Sequence, residues 1–168
     1  RDGLMLGICN GFQALVKLGL IPFGEIRDTD ADCPTLTYNT IGRHQSSIVR
    51  TRVCSSLSPW LLETAPGEIY SVPTSHGEGR FIAPESVLRQ LADNGQIATQ
   101  YVDLTGAPTM DTAFNPNGAL WAVEGVASPN GRVLGKMGHS ERIGPFLYRN
   151  VPGRYDMGLF RSAVKYFQ

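Results

Sequence analysis

Gly7-Ile8-Cys9-Asn10-Gly11 lies between an apolar run, Leu4-Met5-Leu6, and a helix-like segment, Phe12 to Leu18. Strand, glycine-flanked nucleophile and helix is the layout of a nucleophile elbow. So sharp a turn strains the nucleophile's backbone, and glycines on either side are expected to relieve the clash with bulky neighbours. A thiol placed there stands at a strand's carboxyl end and a helix N-terminus, where backbone N–H groups favour the thiolate and lower its pKa. The plainer alternative is a buried cysteine beside an ordinary glycine-rich turn, a phosphate-binding turn included.

A second stretch bears on that choice. In Val133-Leu134-Gly135-Lys136-Met137-Gly138-His139-Ser140-Glu141-Arg142 an apolar strand runs into His-x-Glu. Residues two apart on an extended chain share a side, so Glu141 can fix the tautomer of His139 and support its protonated form. With Cys9 as nucleophile, His139 as base and Glu141 as orienter, the three form a Cys-His-Glu triad. Taken alone, the histidine and the glutamate read as ordinary core or surface residues; a cysteine elbow on a separate strand end changes that.

Composition narrows the classes. With 168 residues the chain suits one hydrophobic core, and 42% hydrophobic against 18% charged residues is globular rather than disordered. Fifteen basic and fifteen acidic residues cancel, so no electrostatic case exists for nucleic acid or an anionic membrane. No apolar run approaches the ~20 residues of a membrane helix, and no signal peptide is visible. Cys9, Cys33 and Cys54 are odd in number and lack C-x-x-C spacing. They point to a reducing, cytoplasmic setting and away from a zinc ribbon. The irregular spacing of Cys33, His44 and His76 gives a metal site made from any of them poor support, solvent-exposed loop residues being the simpler account, and no metal is expected.

Periodicity lays out the rest. Strands are expected over Leu4–Ile8 (buried and parallel), Ser47–Cys54, Glu68–Pro73, Ile97–Val102, Leu120–Val126 and Arg132–Met137. Phe12–Leu18 reads as a helix closed by Gly19, and Pro84–Asn94 as one with Val87, Leu88, Leu91 and Ala92 inward. Trp60–Leu62 reads as a short helix, and Pro22–Thr40 as irregular. A last helix, capped by Asp156, offers Leu159, Phe160, Ala163, Val164 and Phe167 as its apolar side. The hairpin signals mixed among these elements favour a mixed sheet.

Gly7 to Gln13, Ser75-His76-Gly77-Glu78-Gly79-Arg80, Asn115-Pro116-Asn117-Gly118 and Gly138 to Arg142 occur in that order. Together they resemble the class I (triad) glutamine amidotransferase domain of phosphoribosylformylglycinamidine synthases, enzymes of purine biosynthesis. The resemblance spans essentially the whole chain. It implies an α/β, flavodoxin-like fold with a mixed, mainly parallel sheet and flanking helices. It implies Cys9, His139 and Glu141 as catalytic residues, with Gln13, Asn10 (through its backbone N–H), His76 and Gly77 around the substrate glutamine. The implied reaction passes through a glutamyl thioester on Cys9 and releases ammonia to a synthetase domain, on the same polypeptide or a separate subunit. ATP and Mg belong to that partner domain, and no cofactor is expected in this chain.

Two departures carry expectations of their own. The family's Pro-His-Pro-Glu-Arg is Gly138-His139-Ser140-Glu141-Arg142 here, which suggests a looser backbone around His139. The family also has strands before the elbow, and one of their loops supplies half the oxyanion hole. Residues 1–168 therefore read as one N-terminally truncated domain, the C-terminal portion of a longer enzyme. Two competing readings are a truncated, catalytically incompetent amidotransferase fragment and a cysteine hydrolase or glyoxalase-like protein on a related α/β fold.

Overall fold

The apolar run ahead of Cys9 forms β1 (Met5–Ile8), and the run ahead of His139 forms β8 (Val133–Lys136). The two are parallel neighbours, with Gly7 opposite Gly135 and Ile8 opposite Lys136. The computed structural model describes residues 3–168. Between β1 and β8 in sequence come β2 (Thr35–Thr37), β3 (Gln45–Val53), β4 (Ile69–His76), β5 (Arg80–Ile82), β6 (Ile97–Tyr101) and β7 (Val123–Ala127). The main sheet runs β1-β8-β7-β6-β3-β4, while β2 and β5 pair in a separate two-stranded ladder.

The α/β class and the mixed sheet hold, but the mainly parallel arrangement does not. Among the described residues β1–β8 is parallel, and every other pairing is antiparallel. Parallel neighbours need a long crossover, whereas β7 reaches β8 through the tight Pro129-Asn130-Gly131 turn. Nor is β1 buried on both faces: it lies at one end of this sheet, and Met5 is exposed.

Among the described residues four helical segments flank the sheet: α1 (Asn10–Lys17), the short turn α2 (Leu20–Phe23), which is extended at Ile21, α3 (Glu85–Asp93) and α4 (Leu159–Tyr166). Helix α1 sinks Phe12, Leu15 and Val16 into the core. Phe12 stacks on Phe81 with ring centroids 6.3 Å apart. This close seat requires Gly135, because a Cβ there would lie 2.1 Å from the Phe12 ring. Helix α3 buries Leu88 and Leu91, and Gly95, at φ 67°, ends it.

Other expectations need adjusting. The irregular Pro22–Thr40 stretch contains β2, whose partner β5 is equally short. The strand expected from Leu120 begins as a 3-10 turn, with Trp121 and Ala122 at φ 51° and 54°, and becomes extended at Val123. The short Trp60 helix is likewise a 3-10 turn, Pro59–Leu61. Asp156 accepts a hydrogen bond from Gly158 N at 2.7 Å, just before α4. The buried face of α4 carries Leu159 and Ser162, while Phe160, Val164 and Phe167 are exposed. Among the described residues no helix is long and apolar enough to cross a membrane.

Candidate active site

Cys9 occupies the turn between β1 and α1 with φ 53° and ψ −108°, a conformation that costs a non-glycine residue about 1–3 kcal/mol. Two backbone hydrogen bonds hold it there: Cys9 N donates to Lys136 O at 2.9 Å, and Gln13 N donates to Cys9 O at 3.1 Å. The flanking glycines differ in what they do. A Cβ on Gly7 would lie 2.5 Å from Leu15 Cδ1 and 2.7 Å from the Gly11 carbonyl. A Cβ on Gly11 would meet nothing within 4 Å among the described residues, so clearance explains Gly7 alone.

The thiol's resting state also departs from expectation. Burial pushes the Cys9 pKa up, and this outweighs the Asn10 backbone N–H and the nearby Arg142 charge, which pull it down; Glu141 adds to the rise. Cys9 at rest is therefore a thiol, donating weakly to the Ser75 carbonyl at 3.8 Å. A thiol so held becomes a thiolate only when a base takes its proton.

His139 stands at the carboxyl end of β8, three residues beyond the partner of Ile8. Its Nδ1 is 2.6 Å from Glu141 Oε1, and its backbone N–H donates to Pro73 O at 2.8 Å. The ring is almost fully buried, and among the described residues Nε2 has no hydrogen-bond partner. With Nδ1–H held by the carboxylate, the neutral ring keeps its lone pair on Nε2. Cys9 Sγ and Nε2 are not hydrogen-bonded here; such contacts commonly tighten only around substrate. The loss of both prolines does not leave the stretch loose. Gly138 N donates to Glu124 Oε1 at 2.6 Å, and Lys136 Nζ donates to Ser140 Oγ at 2.9 Å.

The expected substrate-side residues divide into two groups. Asn10 and Gln13 line a 220 Å³ cleft beside the elbow with Ala14, Lys17, Leu36 and Glu78. Gln13 Nε2 donates to the Glu78 carbonyl, which ties α1 to the Ser75–Arg80 loop. His76 lies beneath that loop, 4% exposed, with Nδ1 3.3 Å from Asn39 Oδ1. Its ring occupies the space a Gly79 side chain would need, 2.5 Å from that Cβ position. Gly77 accepts from Asn39 N at 2.9 Å. His76 and Gly77 are thus set in the loop's framework rather than in the cleft wall.

Asn39 and Tyr101 of this framework escaped sequence reading, and the bracing role of Asn117 did too. Asn39 bonds His76 O and Arg43 O through its amide, and Asn117 bonds Gly79 O and the Tyr101 hydroxyl. The Asn115–Gly118 turn therefore braces the loop from below, and a buried asparagine gives no periodic signal. Cys33, His44 and His76 do not gather: Cys33 accepts from Asp30 N, and His44 Nε2 meets Ser75 Oγ at 3.0 Å. Among the described residues no His, Cys, Asp and Glu group could hold a metal.

Burial pushes the His76 pKa down to about 4 from 6.5. The unfolded chain takes up this proton near pH 6.5 and the folded chain only near 4. Stability is thus complete above pH 6.5 and falls through that window by about 3 kcal/mol. Urea unfolding at pH 7, 5.5 and 4 should reveal that slope, and His76→Gln should flatten it by roughly one proton.

A strained cysteine at one strand end and a carboxylate-held histidine at the end of its parallel neighbour define an α/β protein whose candidate site pairs a thiol with an imidazole. The chain belongs to the CobB/CobQ-like glutamine amidotransferase domain family, whose model matches residues 1–167. It is 36% identical to phosphoribosylformylglycinamidine synthase subunit PurQ of Gloeobacter violaceus, over 98% of this chain and 64% of that protein. The same subunit of Symbiobacterium thermophilum is 36% identical over 99% of this chain and 64% of its own length. The solved structure of PurLQS from Thermotoga maritima superposes with a TM-score of 0.70 at 25% identity, covering 98% of this chain and 62% of that one. The chain thus spans less than two thirds of the length of these relatives.

Proposed function

We propose that this chain hydrolyses glutamine as the ammonia-donating part of a phosphoribosylformylglycinamidine synthase. The observation that carries the reading is the strained Cys9 one strand away from a His139 whose Nδ1 is held by Glu141. The similarity to PurQ subunits supplies the particular reaction.

His139 Nε2 takes the Cys9 proton, and the thiolate attacks the side-chain carbonyl carbon of glutamine. The carbonyl oxygen becomes an oxyanion, to which the Asn10 N–H at the start of α1 donates. His139 returns the proton to the amide nitrogen, the C–N bond breaks, and ammonia leaves with a glutamyl thioester on Cys9. His139 then draws a proton from water, the hydroxide attacks the thioester, and glutamate departs with Cys9 restored as a thiol. Glu141 stays ionised and supports the imidazolium. Asn10 and Gln13 border the glutamine; His76 and Gly77 shape the loop that brings Glu78 to the edge of the cleft.

The ammonia passes to a synthetase domain, which uses ATP and Mg to convert formylglycinamide ribonucleotide to its amidine in the cytoplasm. This chain itself requires no cofactor.

The test is intact-mass analysis of the enzyme in complex with its synthetase partner after exposure to a diazoketone analogue of glutamine. A single adduct mapping to Cys9, blocked by excess glutamine, is the expected result. Labelling of Cys9 by iodoacetamide but never by the analogue would overturn the reading.

A further inference from the structure

Directly beneath His139 lies a buried ion pair that the reaction does not use. Glu124, 0% exposed on β7, and Lys136, 1% exposed on β8, meet at 3.0 Å. All three ammonium protons of Lys136 are placed: one on Glu124 Oε1, one on Gly138 O at 3.1 Å and one on Ser140 Oγ at 2.9 Å. Glu124 Oε1 also accepts from Gly138 N, and Oε2 accepts from Thr99 Oγ1. Ser140 Oγ donates its own hydrogen bond to Met157 Sδ at 3.2 Å. Gly138 admits this approach because it has no side chain: a Cβ would lie 2.8 Å from Glu124 Oε1 and 2.5 Å from Val72 Cγ1.

We infer that Glu124 and Lys136 are positioning residues, clamping Gly138 and Ser140 on either side of His139 so that its ring is presented to Cys9. The proposal rests on the reading of His139 as the base.

Stability alone does not account for the pair. Desolvating two charges offsets most of their attraction, and apolar side chains of similar size serve a core at least as well. What the pair provides is direction. Its hydrogen bonds end on the backbone N–H of Gly138, the backbone carbonyl of Gly138 and the hydroxyl of Ser140, the residues that bracket the histidine. A glycine would otherwise leave this stretch with the freest backbone in the site. The adjacent bonds from His139 N to Pro73 O and from Nδ1 to Glu141 complete the fixing of the ring.

The test compares two variants in the intact enzyme. Glu124→Gln combined with Lys136→Met removes both charges at nearly constant volume. Ser140→Ala removes one acceptor and leaves the pair in place. The expected result for the double variant is a glutamine-dependent kcat lower by at least about tenfold, with KM within about twofold and ammonia-dependent synthesis unchanged. For Ser140→Ala a fall of about threefold with the same split is expected. Wild-type kcat in a folded double variant would overturn the proposal. Should that variant fail to fold, wild-type kcat in Ser140→Ala would overturn it instead.

Alkylation of Cys9 by chloroacetamide at neutral pH needs no glutamine, and both variants should slow it. If the wild-type enzyme releases no ammonia from glutamine, the functional reading fails, and the alkylation rates alone then decide whether the pair places His139.

Discussion

On the proposed function, replacing Cys9 with alanine is expected to lower glutamine-driven synthesis by at least about 10⁴-fold, while synthesis supplied with free ammonia should stay within about twofold of wild type. The asymmetry follows from what Cys9 touches. Its side chain meets the Ser75 carbonyl, and its backbone bonds to Lys136 and Gln13 survive any substitution that keeps the main chain. Alanine therefore removes the thiol without disturbing the elbow. Parallel assays with glutamine and with ammonium chloride read the two activities, and loss of both would refute the division of labour. Cys9→Gly is expected to be as inactive yet more stable by about 1 kcal/mol, because glycine carries no strain at φ 53°. A rise in melting temperature with no glutaminase would mark that strain as a cost borne for function.

The raised pKa of Cys9 gives the same residue a second consequence. On the proposed function, a Cys9 kept as a thiol until His139 accepts its proton would be protected from stray electrophiles. Its reactivity would then depend on how well Nε2 is aimed. This ties the rate to the geometry of the Gly138–Glu141 stretch, where the Glu124–Lys136 pair is bonded to both neighbours of the histidine.

What was legible in the sequence was local. A glycine two residues ahead of a cysteine after an apolar strand announces the elbow, since the clash it avoids lies within the same turn. His-x-Glu works likewise, because two-residue spacing on extended chain is enough to join Nδ1 to Oε1. Non-local choices were harder to read. The direction of strand pairing depends on connections rather than on strand composition, and the mainly parallel sheet that the resemblance implies is mostly antiparallel here. Strands β2 and β5, three residues each, are too short to show alternation. On α4, Phe160 and Val164 looked inward by spacing, yet the helix turns Ser162 to the core, where its hydroxyl accepts from Glu63 N at 3.0 Å. Glu124 and Lys136 were invisible for a related reason: a charged residue in a strand reads as solvent-facing until its partner on the next strand is known.

Gly7→Ala should be among the most damaging single-methyl changes in the protein. The added carbon would sit 2.7 Å from both the carbonyl carbon and the oxygen of Gly11, and 2.5 Å from Leu15 Cδ1. The leucine can rotate, but the Gly11 carbonyl belongs to the first turn of α1 and cannot move without carrying the helix with it. Overpacking against backbone in this way costs about 3 kcal/mol. Relief can come only by opening the angle between β1 and α1, which moves the Cys9 thiol and the Asn10 N–H together. A shift of about 1 Å there is worth about a hundredfold in rate. The expected outcome is a lower unfolding midpoint in urea together with a fall in glutamine-dependent kcat of at least that size. Gly11→Ala provides the contrast: with no atom of the described residues within 4 Å of its Cβ, it should lose far less of either. Equal damage from both substitutions would show that clearance at Gly7 does not govern this turn, since alanine at Gly11 can only favour the helix.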